Sequence, residues 1–167
     1  MLIRAATNHL GKPRIRIACG LALLLLSGCA GTTPAPAVPN ADDLISYATG
    51  LTGAPYRFGG TDPERGFDCS GFVQHVYARF GVPLPRTTHE MAERLSEIPL
   101  EQCENGDLLF FNIANKPFSH VGLYLGHGHF IHAPSDRSGG VTISSLERPF
   151  WRKRFAGARR PAPLPGQ

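Results

Sequence analysis

Residues 40–160 predict an α+β domain in which N-terminal helices pack on an antiparallel sheet. Three observations carry that reading. Apolar side chains recur at helical spacing through the first half of the stretch. After about residue 105 the period changes to short runs rich in aromatic and β-branched residues, separated by Gly, Asn and Pro. Helical segments come first and strands afterwards, an order that favours helices gathered on one antiparallel sheet. Roughly 120 residues are enough for a single core, and neither an internal repeat nor a second domain is visible.

The elements follow in order. Asn40 is an N-cap candidate, with Asp42 and Asp43 in the first turn, where the helix dipole favours negative charge. Leu44, Ile45, Ala48 and Leu51 then form an apolar stripe that Gly50 and Gly53 close. "GAPYRFGGTDPERG" reads as a loop carrying two aromatics. A second helix is predicted from about Asp68 to Phe80, its apolar face made by Phe72, Val73, Val76, Tyr77 and Phe80, with Gly81 and Pro83 as the stop. Thr87 and Glu90 fit a capping box that opens a short third helix bearing Met91 and Leu95. "GDLLFFN", "HVGLYLG", "HFIHAP" and "VTIS" supply the strands.

The ends of the chain bear on location. Arg4, Lys12, Arg14 and Arg16 precede the apolar run Ile17–Leu26, about ten residues against the roughly twenty that span a bilayer. A basic start, a short apolar core and a small-residue exit read as a secretory signal over residues 1–28. The exit "LSGCA" is similar to a bacterial lipobox, with Cys29 as the lipid-modified residue that anchors the protein to a membrane. Ala30 after it favours the outer membrane, facing the periplasm, by similarity to sorted lipoproteins. "AGTTPAPAVPN" has almost nothing to bury and reads as an extended tether over residues 29–39. The leader contains four of the seventeen basic residues and none of the thirteen acidic ones, so the chain beyond it is balanced at thirteen of each. That balance removes a nucleic-acid reading. Arg148, Arg152, Lys153, Arg154, Arg159 and Arg160 crowd the end of the domain. They read as a solvated tail, or else as a contact with an anionic surface; residues 161–167 read as a flexible end.

"GFDCSGFV" holds the chemistry. Cys19 lies in the leader and Cys29 at the lipobox, leaving Cys69 and Cys103, and two cysteines in an oxidising envelope invite a disulfide. Cys69, however, opens a helix, where unpaired N–H groups and the dipole lower a thiol pKa and can bind an oxyanion. A thiolate nucleophile needs a base, and the base an orienting group. If "HVGLYLGHGHFIH" is a hairpin with the three-residue loop Gly126-His127-Gly128, Gly122 faces His132 and His120 faces Pro134. His120 and His132 then become diagonal neighbours on one face, roughly 7 Å apart or less. A loop one residue shorter would put them on opposite faces. Cys, His and His with water would also suit zinc, but neither a CxxC pair nor an HExxH helix is present, and the reading is against a metal.

These residues resemble the NlpC-type cell-wall peptidases, papain-like cysteine peptidases of bacterial envelopes. The matching stretches are "PYRFGG" (55–60), "GFDCSGFV" (66–73), "LPRTT" (84–88), "GDLLFF" (106–111) and "SHVGLYLGHGHFIHA" (119–133), in the family's order. The resemblance implies a papain-like core with Cys69 as nucleophile, His120 as base and His132 as the third, orienting residue. It implies that Tyr56 lies beside the nucleophile, that Ser70 contacts the substrate, and that Gly59, Gly60 and Asp107 shape loops. The implied activity is endopeptidase cleavage of peptidoglycan stem peptides or crosslinks, near D-glutamate, a diamino acid or D-alanine, without metal or cofactor. A catalytically silent wall-binding scaffold, or an amidase or acyltransferase on the same fold, is the alternative. Met91 stands where the family often has glutamine, which alters the local groove. Cys103 has no family role, and a regulatory protein partner is expected on general grounds alone.

Overall fold

The computed structural model describes residues 40–113, 115–134 and 139–163. The expected leader, Cys29 and the tether all lie outside the described residues, as do residues 164–167 of the expected tail.

Each helix begins where a side chain can satisfy its first N–H groups. Helix α1 (Ala41–Gly50) has the capping box that its sequence suggests: Asn40 Oδ1 accepts from the Asp43 N–H at 3.0 Å, and Asp43 accepts from the Asn40 N–H at 3.1 Å. Helix α2 (Cys69–Arg79) is capped by Asp68, whose Oδ1 accepts from the Gly71 N–H at 2.6 Å. Helix α3 (Thr88–Arg94) starts on the Thr87–Glu90 box. Between α1 and α2 the loop folds into a small hairpin of β1 (Thr61–Asp62) and β2 (Gly66–Phe67).

A six-stranded antiparallel sheet follows, built from β3 (Ser96–Ile98), β4 (Leu108–Ile113), β5 (Lys116–Gly126), β6 (His129–His132), β7 (Thr142–Ser145) and β8 (Phe155–Arg160). Its spatial order is β3-β8-β4-β5-β6-β7. Period-2 alternation divides its side chains between two clusters. Leu108, Phe110, Val121, Leu123 and Ile131 pack with Leu44, Phe72, Val73, Val76 and Met91 of the three helices. Leu109, Phe111, Phe130 and Ala158 lie on the opposite face, covered by Trp151 of the short helix α4 (Pro149–Arg152) and by Phe155.

Two expectations are corrected. The basic C-terminal stretch is a solvated tail only in part: Arg148, Arg152 and Lys153 are exposed, but Phe155–Arg160, with Arg159 and Arg160, is an internal strand. Arg159 is only 7% exposed: its guanidinium donates to the Ala92 and Ala158 carbonyls at 2.8 and 2.9 Å and reaches Glu97 at 3.4 Å. Arg160 grips the buried Asp107 bidentately at 2.9 and 2.8 Å. Charges that look solvated in the sequence are tolerated in the sheet because carbonyls and carboxylates meet them. The β5–β6 connection also differs. Gly126 pairs with His129, leaving a two-residue turn of His127 (φ 49°) and Gly128 (φ 72°), both in the left-handed region that a type I′ turn requires. A bulge between Tyr124 and Gly126 inserts the missing residue, so Leu123 still faces Ile131 and Tyr124 still faces Phe130. The shorter loop and the bulge cancel, and the two histidines stay on one face.

Candidate active site

Cys69 is held in place by backbone packing as much as by its helix. The loop bearing Phe58, Gly59 and Gly60 runs directly over the first turn of α2: the Asp68 N–H donates to the Gly60 carbonyl at 3.1 Å, and the Gly59 N–H donates to Asp68 Oδ2 at 3.0 Å. A Cβ on Gly71 would collide with the Gly60 carbonyl oxygen, and one on Gly60 with the Gly66 carbonyl. Close backbone approach therefore demands glycine at both positions. Asp68 also accepts from Arg86, at 2.7 Å from Nη2 and 3.2 Å from Nη1. Burial works against the Asp68 charge, but the Arg86 pair and the Gly71 N–H outweigh it and hold the carboxyl below its ordinary 3.8. The chain thus fixes the start of α2 from three separate segments.

The histidines form a chain. His120 Nε2 lies 2.8 Å from His132 Nδ1, and His132 Nε2 lies 3.0 Å from Ser144 Oγ. Ser144 sits on β7 opposite Phe130, one diagonal step from His132. Trp151 closes the face, stacking on His120 at 5.6 Å between centroids and 25° and meeting His132 edge-on at 4.7 Å. With Nε2 engaged, Nδ1 is the His120 nitrogen left for chemistry. One tautomer order leaves that atom without a proton: His120 Nε2–H donates to His132 Nδ1, and His132 Nε2–H donates to Ser144. The same order is the only one that survives when His120 gains a second proton, since both of its nitrogens then donate.

Burial sets the resting charges. His120, 5% exposed, is pulled down to about 4 by burial, and His132 is pulled down by burial and then by the neighbouring His120. Both are neutral at pH 7. Burial pushes the Cys69 thiol up to about 11, although the Val121 N–H and the N–H groups of Ser70 and Cys69 itself favour the thiolate; the Asp68 charge adds to the rise. The helix-terminus effect expected from sequence is present but is outweighed by desolvation. The resting pair is therefore a neutral thiol and a neutral imidazole, suited to moving the proton during attack rather than storing a thiolate.

Cys69 and His120 line one cavity of about 720 Å³ with Tyr56, Ser70, Arg86 and Trp151. The sequence-derived residues thus come together, with one qualification of role. The Ser70 hydroxyl donates to Asp68 Oδ1 at 3.1 Å and accepts from Arg86 Nη1 at 2.8 Å, so its hydrogen already braces the capping pair. Cys103 is a free thiol that packs with the opposite cluster, 3.7 Å from the Pro99 carbonyl; Cys69 is also free. Three contributors escape the sequence reading. Arg86 could be found, since a buried cap beside a candidate nucleophile calls for a counter-charge and "LPRTT" carries one. Ser144 required the β6–β7 register across a connection of unknown path. Trp151, the chain's one tryptophan, was hidden among the basic residues read as tail.

A cysteine at a helix start and a paired histidine on an antiparallel sheet line one cavity, an arrangement that can carry thiol chemistry. The chain belongs to the NlpC/P60 family, whose model matches residues 53–160. It is 43% identical over 109 residues to the murein DD-endopeptidase MepS/murein LD-carboxypeptidase of Escherichia coli (strain K12), covering 65% of this chain and 56% of that protein. It is 42% identical over 113 residues to the murein DD-endopeptidase MepH of the same strain, covering 65% and 41%. The chain therefore spans about half the length of these curated relatives. Among solved structures, an NlpC/P60 family protein from Bacillus cereus ATCC 10987 superposes with a TM-score of 0.70 at 36% identity, over 76% of this chain and 42% of that one.

Proposed function

We propose that this protein is a peptidoglycan endopeptidase that hydrolyses amide bonds of stem peptides or crosslinks through a Cys69–His120–His132 triad. The observation that carries the reading is the hydrogen-bonded chain from His120 through His132 to Ser144, behind the cavity that Cys69 lines. The murein endopeptidases among its relatives support the substrate class.

Cys69 Sγ attacks the scissile carbonyl as His120 Nδ1 takes the thiol proton. The new imidazolium keeps its Nε2–H on His132, and His132 keeps its own Nε2–H on Ser144, so charge develops on a ring that cannot turn. The Cys69 N–H binds the oxyanion. Collapse of the tetrahedral intermediate breaks the C–N bond as His120 returns the proton to the leaving amine, giving a thioester. Water, deprotonated by His120, hydrolyses the thioester, and Cys69 recovers its proton. Tyr56 lies along the substrate beside the nucleophile, and the Ser70 backbone joins it.

Cys29 as a lipidated anchor at the outer membrane, facing the periplasm, is part of the same proposal and rests on "LSGCA". Cys29→Ala is then expected to lose the membrane fraction and any incorporated fatty-acyl label. The catalytic claim is tested on purified sacculi. Wild type is expected to release soluble fragments, with Cys69→Ala and His120→Ala each slower by about 10³-fold or more. Unchanged release by either variant rejects the triad.

A further inference from the structure

The sequence singles out a basic cluster that the proposed chemistry leaves unused, and part of it lines a second hollow beside the active-site cavity. That hollow, of about 700 Å³, is lined by Asn112, Asn115, Pro117, Lys153 and Arg154. Its walls come from the same two chain segments as part of the first: Ile113 and Ser119 on the β4–β5 hairpin and Phe150 on α4 line the catalytic cavity, while Asn112, Asn115 and Pro117 of that hairpin and Lys153 and Arg154 just after α4 line the second.

Its composition is one-sided. It offers a lysine, an arginine and two amides, and no acid. Among the described residues neither Lys153 nor Arg154 has an ion-pair partner. Glu147, the acid nearest in sequence, lines a different hollow together with Arg152. The frame is fixed before anything binds. The Arg154 guanidinium lies 4.0 Å over the Phe150 ring and Nη1 donates to the Phe150 carbonyl at 3.0 Å. The Asn112 N–H donates to the Arg154 carbonyl at 2.8 Å. Asn112 Oδ1 accepts from the Phe118 N–H at 2.9 Å, which leaves the Nδ2 donor of that amide. Phe150 is itself half exposed yet held from three sides, by these two contacts and by an edge-on meeting with Trp151 at 4.9 Å.

We infer that this hollow is a carboxylate subsite, in which Lys153 and the Asn112 amide receive an acidic group of the substrate while its scissile amide lies over Cys69. The inference rests on the peptidoglycan reading, whose stem peptides carry free carboxylates. It makes the enzyme selective for substrate in which those groups are not amidated. Charge-assisted hydrogen bonds in a pre-set frame supply the discrimination.

Two peptides test it, a stem-peptide dimer with free side carboxylates and its amidated twin, titrated by calorimetry into full-length Cys69→Ala protein so that binding is read without hydrolysis. The free-carboxylate peptide is expected to bind roughly fivefold or more tightly than the amidated one. Lys153→Glu is expected to erase that ratio, whereas Arg152→Glu, the same charge change outside the hollow, is expected to keep it. Equal binding of the twins, or equal loss in the two variants, overturns the subsite and leaves the endopeptidase reading intact. So does a Lys153→Glu defect confined to binding of phosphatidylcholine–phosphatidylglycerol vesicles, which would assign the patch to the membrane. Failure of the wild type to bind or cleave either peptide removes the peptidoglycan reading itself.

Discussion

At the scale of single residues the account depends on how His120 is kept neutral, aligned and dry. Its nitrogen must be unprotonated to accept from the Cys69 thiol, and burial holds it so down to about pH 4. Under the proposed mechanism acid is therefore expected to remove activity by protonating His120. Under the same mechanism alkali is expected to remove the proton that the leaving amine needs once the thiol, at about 11, ionises. kcat/KM is expected to be level from about pH 5 to 9 and to fall below that range; a pH–rate profile checks it. An acid limb near the ordinary histidine value of 6.5 would contradict the buried base. Trp151 covers the His120 ring, so Trp151→Ala is expected to admit water and move the acid limb upward, with a fall in kcat of roughly 10–100-fold. Trp151→Phe keeps an apolar cover and is expected to restore most of the limb's position. A role confined to packing would lower stability without moving the limb.

At the scale of elements, what was legible in the sequence was whatever local rules decide. Asn40, Asp68 and Thr87 each mark a helix start, because capping involves only neighbours along the chain. The histidine register was legible through net count alone: the turn lost one residue and the bulge returned it, a compensation invisible to loop-length reasoning. β8 was not legible. "FAGARR" has a glycine at φ 145°, small residues and two arginines, and its place between β3 and β4 comes from partners far away, Ala92, Glu97 and Asp107. Since β8 is internal, a chain ending at Arg154 would strip β3 of its partner, expose the edge of β4 and remove Phe155 and Ala158 from the second cluster. Loss of a cooperative thermal transition is expected for that truncation, while a chain ending at Pro163 melts as the full protein does. A normal melt for the shorter chain would refute the assignment of β8 as structural.

At the scale of the whole molecule, the site and the fold share the same buried groups, which couples stability to pH. Unfolded, His120 and His132 titrate near 6.5; folded, both are held well below it. Between these values the unfolded chain binds more protons, so stability rises with pH through that window and is lost as pH falls from about 6.5 toward 4. His120 alone accounts for a loss on the order of 3 kcal/mol across it. Asp68, held below 3.8 mainly against its own burial by Arg86, loses its share only at lower pH still. Urea midpoints measured from pH 7 to 4 are expected to fall steadily, and His120→Gln is expected to flatten the slope. A midpoint independent of pH in this range would mean that the histidines are not buried as neutral rings.

The measurement that bears most directly on the central claim is mass spectrometry of purified muropeptides incubated with the protein, beside a Cys69→Ala control. The account predicts fragments heavier in sum by one water, with new amine and carboxyl ends inside the peptide, absent from the control. Fragments from glycan cleavage, or peptide fragments that persist in Cys69→Ala, would contradict it.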